Sequence, residues 1–405
     1  MQGQRLGHRG SHDHGVAGRS AEGVGGSSPT SEGPVPSAAG PVPDAPSVLP
    51  VGGDHAASVP VPACHPALSA LFAVLLAVLF AVFAVSAYWG WRLAHPPRVL
   101  VRGNPAIDAR LIWRCLPNPT VLPPCTAGVL PPGIDRIPLS GWILPVALEA
   151  APRAATGAAA THDAASANWP GTSPGQWSRR TVVFVSDAGQ NRLQSGFPTL
   201  SVARELTQLG YNVVLFDTRD TGASGGDEIG FGSLEAKDVE AVVAYLRTLG
   251  PPGGYVALWG FGTGADAALL AAVHEPDVAA VIADSPYASL PAFLRRNVPA
   301  WTGLPAFPFS FTVPWLMGLE TGAHYGAFDP LRAAATLGAK SLPLLFIDGG
   351  ADPITPPAGV RALYAAASDK DGSTLVVAGA GHLQAYQREP GRYMQRVLQV
   401  LGEMR

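Results

Sequence analysis

From Thr181 to the C-terminus, short unbroken apolar runs alternate with stretches of helical period. The runs TVVFVS from Thr181, YNVVLFD from Tyr211, YVALWG from Tyr255, VAAVIAD from Val278, SLPLLFID from Ser341 and STLVVAG from Ser373 are apolar on both faces. Strands of that kind must be covered on both sides, as in a mostly parallel sheet between two layers of helix. Helical patterns fall between them, near Leu200 to Leu209, from Leu234 to Leu249, in an Ala-rich segment after the Tyr255 run, near Val360 to Ala367 and at the C-terminus. A strand-like run from Ile137 to Val146, IPLSGWILPV, precedes the series. The predicted class is α/β with a mostly parallel, doubly wound sheet. One excursion, from Ser285 to about Tyr325, holds Phe293, Trp301, Phe307, Phe309, Phe311 and Trp315 among prolines and reads as a cap. Such a cap either covers an apolar acyl or peptide pocket or packs as a lid on the sheet edge.

Three stretches of different character come first. Residues 1–66 are Gly, Ser, Pro, His and Ala with almost no large apolar side chains, so they bury too little surface to offset ordering entropy and read as disordered. Their His8, His12 and His14 read as solvated spacers. Residues 67–91, ALSALFAVLLAVLFAVFAVSAYWGW, carry no charge, and at roughly 1.5 Å per residue such a run spans a bilayer. Tyr88, Trp89 and Trp91 stand at one end, where aromatic rings meet the water interface. The run exceeds the ~7 to 15 apolar residues of a signal peptide, even though Val85 and Ala87 resemble a cleavage site. A single transmembrane helix in the lipid bilayer is therefore expected. Arg92, Arg98 and Arg102 favour the following side as the inner one, whereas a Cys115–Cys125 disulfide would place it outside; both stay open. Residues 92–136 form a Pro-rich connection, and 137–405 the folded α/β domain with an Ala-rich surface loop at about 147–180.

Composition adds mainly exclusions. The 405 residues suffice for one large domain. The 27 basic and 30 acidic residues are scattered, so no nucleic-acid partner is expected. Cys64, Cys115 and Cys125 form no metal-ligand cluster with nearby histidines, and no dinucleotide fingerprint occurs, so neither a metal nor another cofactor is expected.

The segment YVALWGFGTGADAALL, from Tyr255 to Leu270, runs from a buried strand through a Gly-rich turn straight into an Ala-rich helix. A nucleophile elbow of the form G-x-S-x-G is built this way, with a strained central residue and flanking glycines that let strand and helix approach. Gly260 and Gly264 take the flanking places and Gly262 the central one, where no side chain is available to attack; neither Thr263 nor Ser224 falls in register. Downstream, Asp352 follows one apolar strand and His382 the last one. Alone, Asp352 reads as an Asx-turn before Pro353 and His382 as an ordinary loop histidine. Together with the elbow they reproduce the chain order nucleophile, acid, histidine.

LAHPPRV, LSGWILP, QNR at Gln190 to Arg192, GYNVVLFDTRDTGASGG, GFGTGA, IADSPYASL, LLFIDGGADPITP and AGAGHLQAY follow one another in order. With these motifs the chain resembles the bacterial membrane-anchored α/β-hydrolases of the serine-aminopeptidase-like group, from about His95 to the C-terminus. The resemblance implies an α/β-hydrolase fold, position 262 as the nucleophile, Asp352 as acid, His382 as base, and the backbone N–H groups of Ala188 and Thr263 as an oxyanion hole. It also marks departures: Ser186-Asp187 for a His-Gly, Arg219-Asp220 for an Arg-Gly, and Asp348 for a histidine. A carboxylate at Asp187 would oppose the charge an oxyanion hole stabilises. The expectation is a hydrolase-fold protein without serine-type activity that binds a small-molecule, acyl or peptide ligand or a partner. The alternative is a hydrolase of ester or peptide bonds in which Asp352 and His382 activate water or another nucleophile.

Overall fold

A computed structural model of the chain describes residues 66–101, 112–116, 137–144, 178–249, 254–323, 325–367 and 372–404. The expected disordered segment with His8, His12, His14 and Cys64, Arg102, the Cys115–Cys125 bridge and the Ala-rich loop up to residue 177 lie outside the described residues.

The strands are β1 (Ile112–Leu116), β2 (Leu139–Leu144), β3 (Arg180–Val185), β4 (Asn212–Phe216), β5 (Tyr255–Phe261), β6 (Val278–Asp284), β7 (Leu344–Gly349) and β8 (Gly372–Val377). They form one sheet in the order β1-β2-β4-β3-β5-β6-β7-β8. The pairs β1–β2 and β2–β4 are antiparallel and all pairs from β4 to β8 are parallel, so the mostly parallel sheet read from the apolar runs is observed, in the α/β-hydrolase arrangement that the resemblance implies. The sequence reading did not name every element. β1 lies in the stretch taken as a Pro-rich connection, so the sheet begins before residue 137. Helix α7 (Pro330–Ala339) was not foreseen either, although Pro330 opens it and the Asp329 side chain accepts a hydrogen bond from the Arg332 N–H.

Strand residues of alternate parity feed two cores, as the pleat requires. Val183, Val185 and Leu258 face helices α3 (Glu235–Leu249), α4 (Thr263–His274), α7 and α8 (Pro357–Ala367). Val182, Phe184 and Trp259 face α2 (Thr199–Gln208), the short α9 (Ala385–Arg388) and α10 (Pro390–Gly402). The tight packing of α4 rests on alanine: Ala265, Ala267, Ala268, Ala271 and Ala272 are all buried, which lets the helix lie close on the sheet.

The Ser285 to Tyr325 excursion is helical. It holds α5 (Leu290–Thr302) and α6 (Ala306–Thr321), inserted between β6 and β7. Gly303, at φ 70°, ends α5 in the left-handed conformation suited to glycine. A third cluster joins this cap to the loop after β4 through Phe231, Tyr287, Phe293, Phe328 and Met317.

Helix α1 (Pro66–Ala94) is long and apolar enough to cross a membrane. Its buried residues are Ser86, Gly90 and Ala94, small side chains four apart on one face of the last three turns. That face lies on α6. Ser86 Oγ is 2.7 Å from Thr312 Oγ1, and the Gly90 backbone leaves room for the main chain of Val313 and Met317.

Two motifs of the resemblance meet in the fold. Arg98, from LAHPPRV, donates from Nε to Asp220 Oδ1 at 2.8 Å and from Nη1 to the Ser224 carbonyl at 2.6 Å. Arg192, from QNR, makes a fully buried bidentate pair with Asp217 at the end of β4, with Nε to Oδ1 at 3.1 Å and Nη2 to Oδ2 at 2.5 Å. These arginines hold loops at the carboxyl ends of the strands, the edge where α/β sheets present functional groups.

Candidate active site

Gly262 joins β5 to α4 with φ 53° and ψ −125°. Its N–H donates to the Asp284 carbonyl at 2.8 Å and its carbonyl accepts from the Ala265 N–H at 3.0 Å, so the turn is fixed from both sides. A Cβ on Gly260 would strike the backbone of Gly264 and Ala265, and one on Gly264 would strike the carbonyls of Val185 and Ser186. The flanking glycines thus allow β5, α4 and the end of β3 to close on one another.

At Gly262 the obstacle is different. A Cβ there would collide with the carboxylate of Asp187, which reaches in from the loop after β3. Oδ1 of Asp187 accepts from the Ala188 N–H at 2.8 Å, the Thr263 N–H at 2.9 Å and the Thr263 hydroxyl at 3.0 Å. The two backbone donors named from sequence therefore both point at a carboxylate of the chain itself. The loop is held in turn by the Asp187 N–H, which donates to Gln194 Oε1 at 2.8 Å, and by the Ser186 hydroxyl, which donates to the Asn191 carbonyl at 2.8 Å.

Asp352 and His382 come together as expected. His382 Nδ1 is 2.7 Å from Asp352 Oδ2, and the Thr355 hydroxyl donates to the same oxygen at 2.8 Å. The other oxygen of Asp352 accepts the N–H groups of Ile354 and Thr355 at 2.7 and 2.9 Å. One oxygen of Asp352 thus closes the turn and the other faces the imidazole. On its far side, His382 Nε2 lies 3.7 Å from Asp187 Oδ2, so the imidazole stands between two carboxylates.

That placement sets the charges. Burial works against a charged His382, but the two carboxylates outweigh it and raise its pKa from 6.5 to about 10. Burial alone would push Asp187 and Asp352 up; His382 and the N–H and O–H donors around them reverse this, and both end below the ordinary carboxylate value. Behind them, Asp348 is pushed up to about 8 by burial and by Asp352, and its Oδ2 has no hydrogen-bond partner. Burial likewise raises Asp284 to about 6, against hydrogen bonds donated by Tyr393 at 2.7 Å and Ser285 at 3.0 Å. At neutral pH the centre is an imidazolium flanked by two carboxylates.

A cavity of about 560 Å³ opens over this cluster. Asp187, Thr263 and His382 form its floor, and Phe231, Phe293 and Trp301 of the β4 loop and cap line it. Another side is formed by the end of α1 and the turn after it, with Trp89, Arg92, Leu93 and Pro96. Among the described residues no group of His, Cys, Asp and Glu could hold a metal ion. Sequence reasoning missed Thr355, Gln194 and the α1 wall. Thr355 sits three residues past Asp352, a spacing that signals the turn; nothing in the apolar run marked Trp89 or Arg92 as cavity residues.

Residues 137–306 match the S15 family of X-Pro dipeptidyl-peptidases. Among solved structures, the Pyrococcus furiosus esterase Pf2001 superposes with a TM-score of 0.52 at 22% identity, covering 76% of this chain and 99% of the esterase. The Bacillus subtilis (strain 168) protein YqkD, described as uncharacterized, is 30% identical over 227 residues, which cover 55% of this chain and 72% of YqkD. The chain belongs to the α/β-hydrolase family. In this chain the strand–helix elbow carries Gly262, with the Asp187 carboxylate packed against it.

Proposed function

We propose that this α/β-hydrolase-family protein is a pseudo-hydrolase, anchored in the membrane by α1, that binds a ligand in the cavity above Asp187, Thr263 and His382. The observation that carries the reading is the Asp187 carboxylate, which fills the space beside Gly262 and takes both backbone N–H groups an oxyanion would need. Loss of a serine nucleophile costs on the order of 10⁶ in kcat. Here the oxyanion site also carries negative charge, the reverse of what acyl transfer requires. His382, with its pKa raised to about 10, is an imidazolium at neutral pH and holds no lone pair for a proton. Because the Pyrococcus relative is an esterase and the matched family comprises dipeptidyl-peptidases, the ligand class is an acyl ester, a peptide or a molecule of similar shape.

The test is reaction of the purified full chain with a fluorophosphonate probe, together with turnover of short- and long-chain acyl esters and X-Pro peptides. Neither labelling nor turnover is expected. Labelling at a cavity serine overturns the reading. Turnover that disappears in His382→Ala overturns it in favour of hydrolysis through Asp352 and His382.

A further inference from the structure

The relation between α1 and the cap helix α6 carries a consequence for how the cap meets the membrane. Residues 66–81 of α1 are exposed on every side, and only from Val82 onward does one face touch the rest of the fold. The contacts fix the relative direction of the two helices. Ser86 meets Thr312, and Gly90, one turn later, meets Val313 and Met317, so α6 runs alongside α1 in the same sense. The start of α6 therefore lies beside the part of α1 that is still within its uncharged apolar run.

Helix α6 has the matching character. No charged residue occurs from Asn297 to Leu319. Phe311, Trp315 and Leu319, four apart and hence on one face, are 57%, 59% and 62% exposed, and Phe307 just before them is 82% exposed. Such a stripe facing water is costly, because apolar surface is favoured out of water. The two helices also change character together: the first charge after the apolar run is Arg92 on α1 and Glu320 on α6, each a few residues past the Gly90–Met317 contact. Trp89 and Trp91 on α1 and Trp315 on α6 sit just ahead of that change, where aromatic side chains favour the headgroup region.

We propose that α6 is embedded in the bilayer beside α1, as a membrane element that does not span it, with its Phe311, Trp315 and Leu319 face against lipid and Phe307 exposed at the kink before it. This rests on the reading of α1 as the membrane anchor. The cavity wall made by Trp89, Arg92 and Leu93 then stands at the level of the lipid headgroups.

The experiment places p-benzoylphenylalanine at Phe311 or Trp315 of the full chain in phosphatidylcholine nanodiscs, irradiates, and looks for phospholipid adducts by intact mass. Phe80, on the exposed part of α1, serves as the anchor control. Leu209, exposed where α2 leads into β4 at the sheet end opposite the cap, serves as the water-facing control. Aromatic replacement at exposed positions leaves the core untouched. Adducts at 80, 311 and 315 but not at 209 are the expected result. Adducts at 80 alone overturn the proposal while leaving the anchor in place, and adducts at none overturn both. Crosslinks at 311 or 315 to a second copy of the chain in place of lipid also overturn it.

Discussion

The carboxylate of Asp187 lies in the space that a side chain on Gly262 would need. Positions 187 and 262 are thus coupled: a side chain at 262 clashes with the present Asp187 rotamer, and the Asp187 carboxylate sits where it does because Gly262 has no Cβ. Gly262→Ser alone is expected to stay silent toward fluorophosphonate and to lose about 1–3 kcal/mol of stability from overpacking. Gly262→Ser combined with Asp187→Gly frees both the space and the two N–H donors, and is expected to gain labelling and measurable ester turnover. Comparison of the two variants by gel fluorescence and thermal melting checks this. Labelling by the single variant would show that Asp187 moves aside easily.

The imidazolium of His382 gives a pH signature. Its folded pKa of about 10 lies above the ordinary 6.5, so its contribution to stability is complete below about pH 6.5 and is lost as pH rises through about 10. Asp187 and Asp352, with lowered values, contribute above the ordinary carboxylate range and lose that contribution on acidification through their folded values. Asp348, raised to about 8, resists ionisation and adds to the loss as pH climbs toward 8. The melting temperature should therefore fall from pH 7 to pH 10, and the fall should be shallower in His382→Gln. Asp187→Asn should bring the His382 titration seen by NMR down toward neutrality. An imidazole that titrates near 6.5 in the parent would remove this account of the site.

The repeating apolar runs made the sheet legible because a strand buried on both faces has no other composition open to it. The elbow, Asp352 and His382 were legible because each follows such a strand at the edge where their side chains converge. What stayed hidden depends on tertiary contact. β1 is a five-residue strand among prolines whose pairing with β2 no local pattern announces. The charge of Asp187 was readable, but its approach to Gly262 follows from a loop held by Gln194 and Thr263. The use of Trp89 and Arg92 as a cavity wall was masked by hydropathy, which sees a span and not the face of it that packs.

The buried Arg192–Asp217 pair ties the loop after β3 to the end of β4. Arg192 is 2% exposed, Asp217 is fully buried, and the Asp217 carboxylate also receives the N–H groups of Arg192 and Ala223. Asp217→Ala would leave a guanidinium buried without its anion, and a loss of about 3–5 kcal/mol is expected. Chemical denaturation of the variant measures it. A loss under about 1 kcal/mol would mean that water reaches Arg192 and that the pair does not organise the loops.

The packing of α1 on α6 makes the last prediction, and it separates two roles of one helix. If the first turns of α1 serve only the bilayer and the last three serve the fold, equal insults at the two places must differ. At Gly90 a Cβ would come within 3.2 Å of the Met317 N and 3.4 Å of the Val313 carbonyl, both main-chain atoms that cannot rotate away. Gly90→Ala should therefore lower the melting temperature in nanodiscs, and Gly90→Leu should lower it further, by the equivalent of about 1–3 kcal/mol. Ala81→Leu, on the exposed stretch of the same helix, adds the same bulk where only lipid or solvent adjoins it, and should leave the melt unchanged. Because Trp89 and Leu93 line the cavity from this helix, Gly90→Leu should also open that wall, read as faster hydrogen exchange at the amides of Phe231 and Trp301. Equal melts for Gly90→Leu and Ala81→Leu would show that the α1–α6 contact contributes nothing to the fold and that α1 is a tether alone.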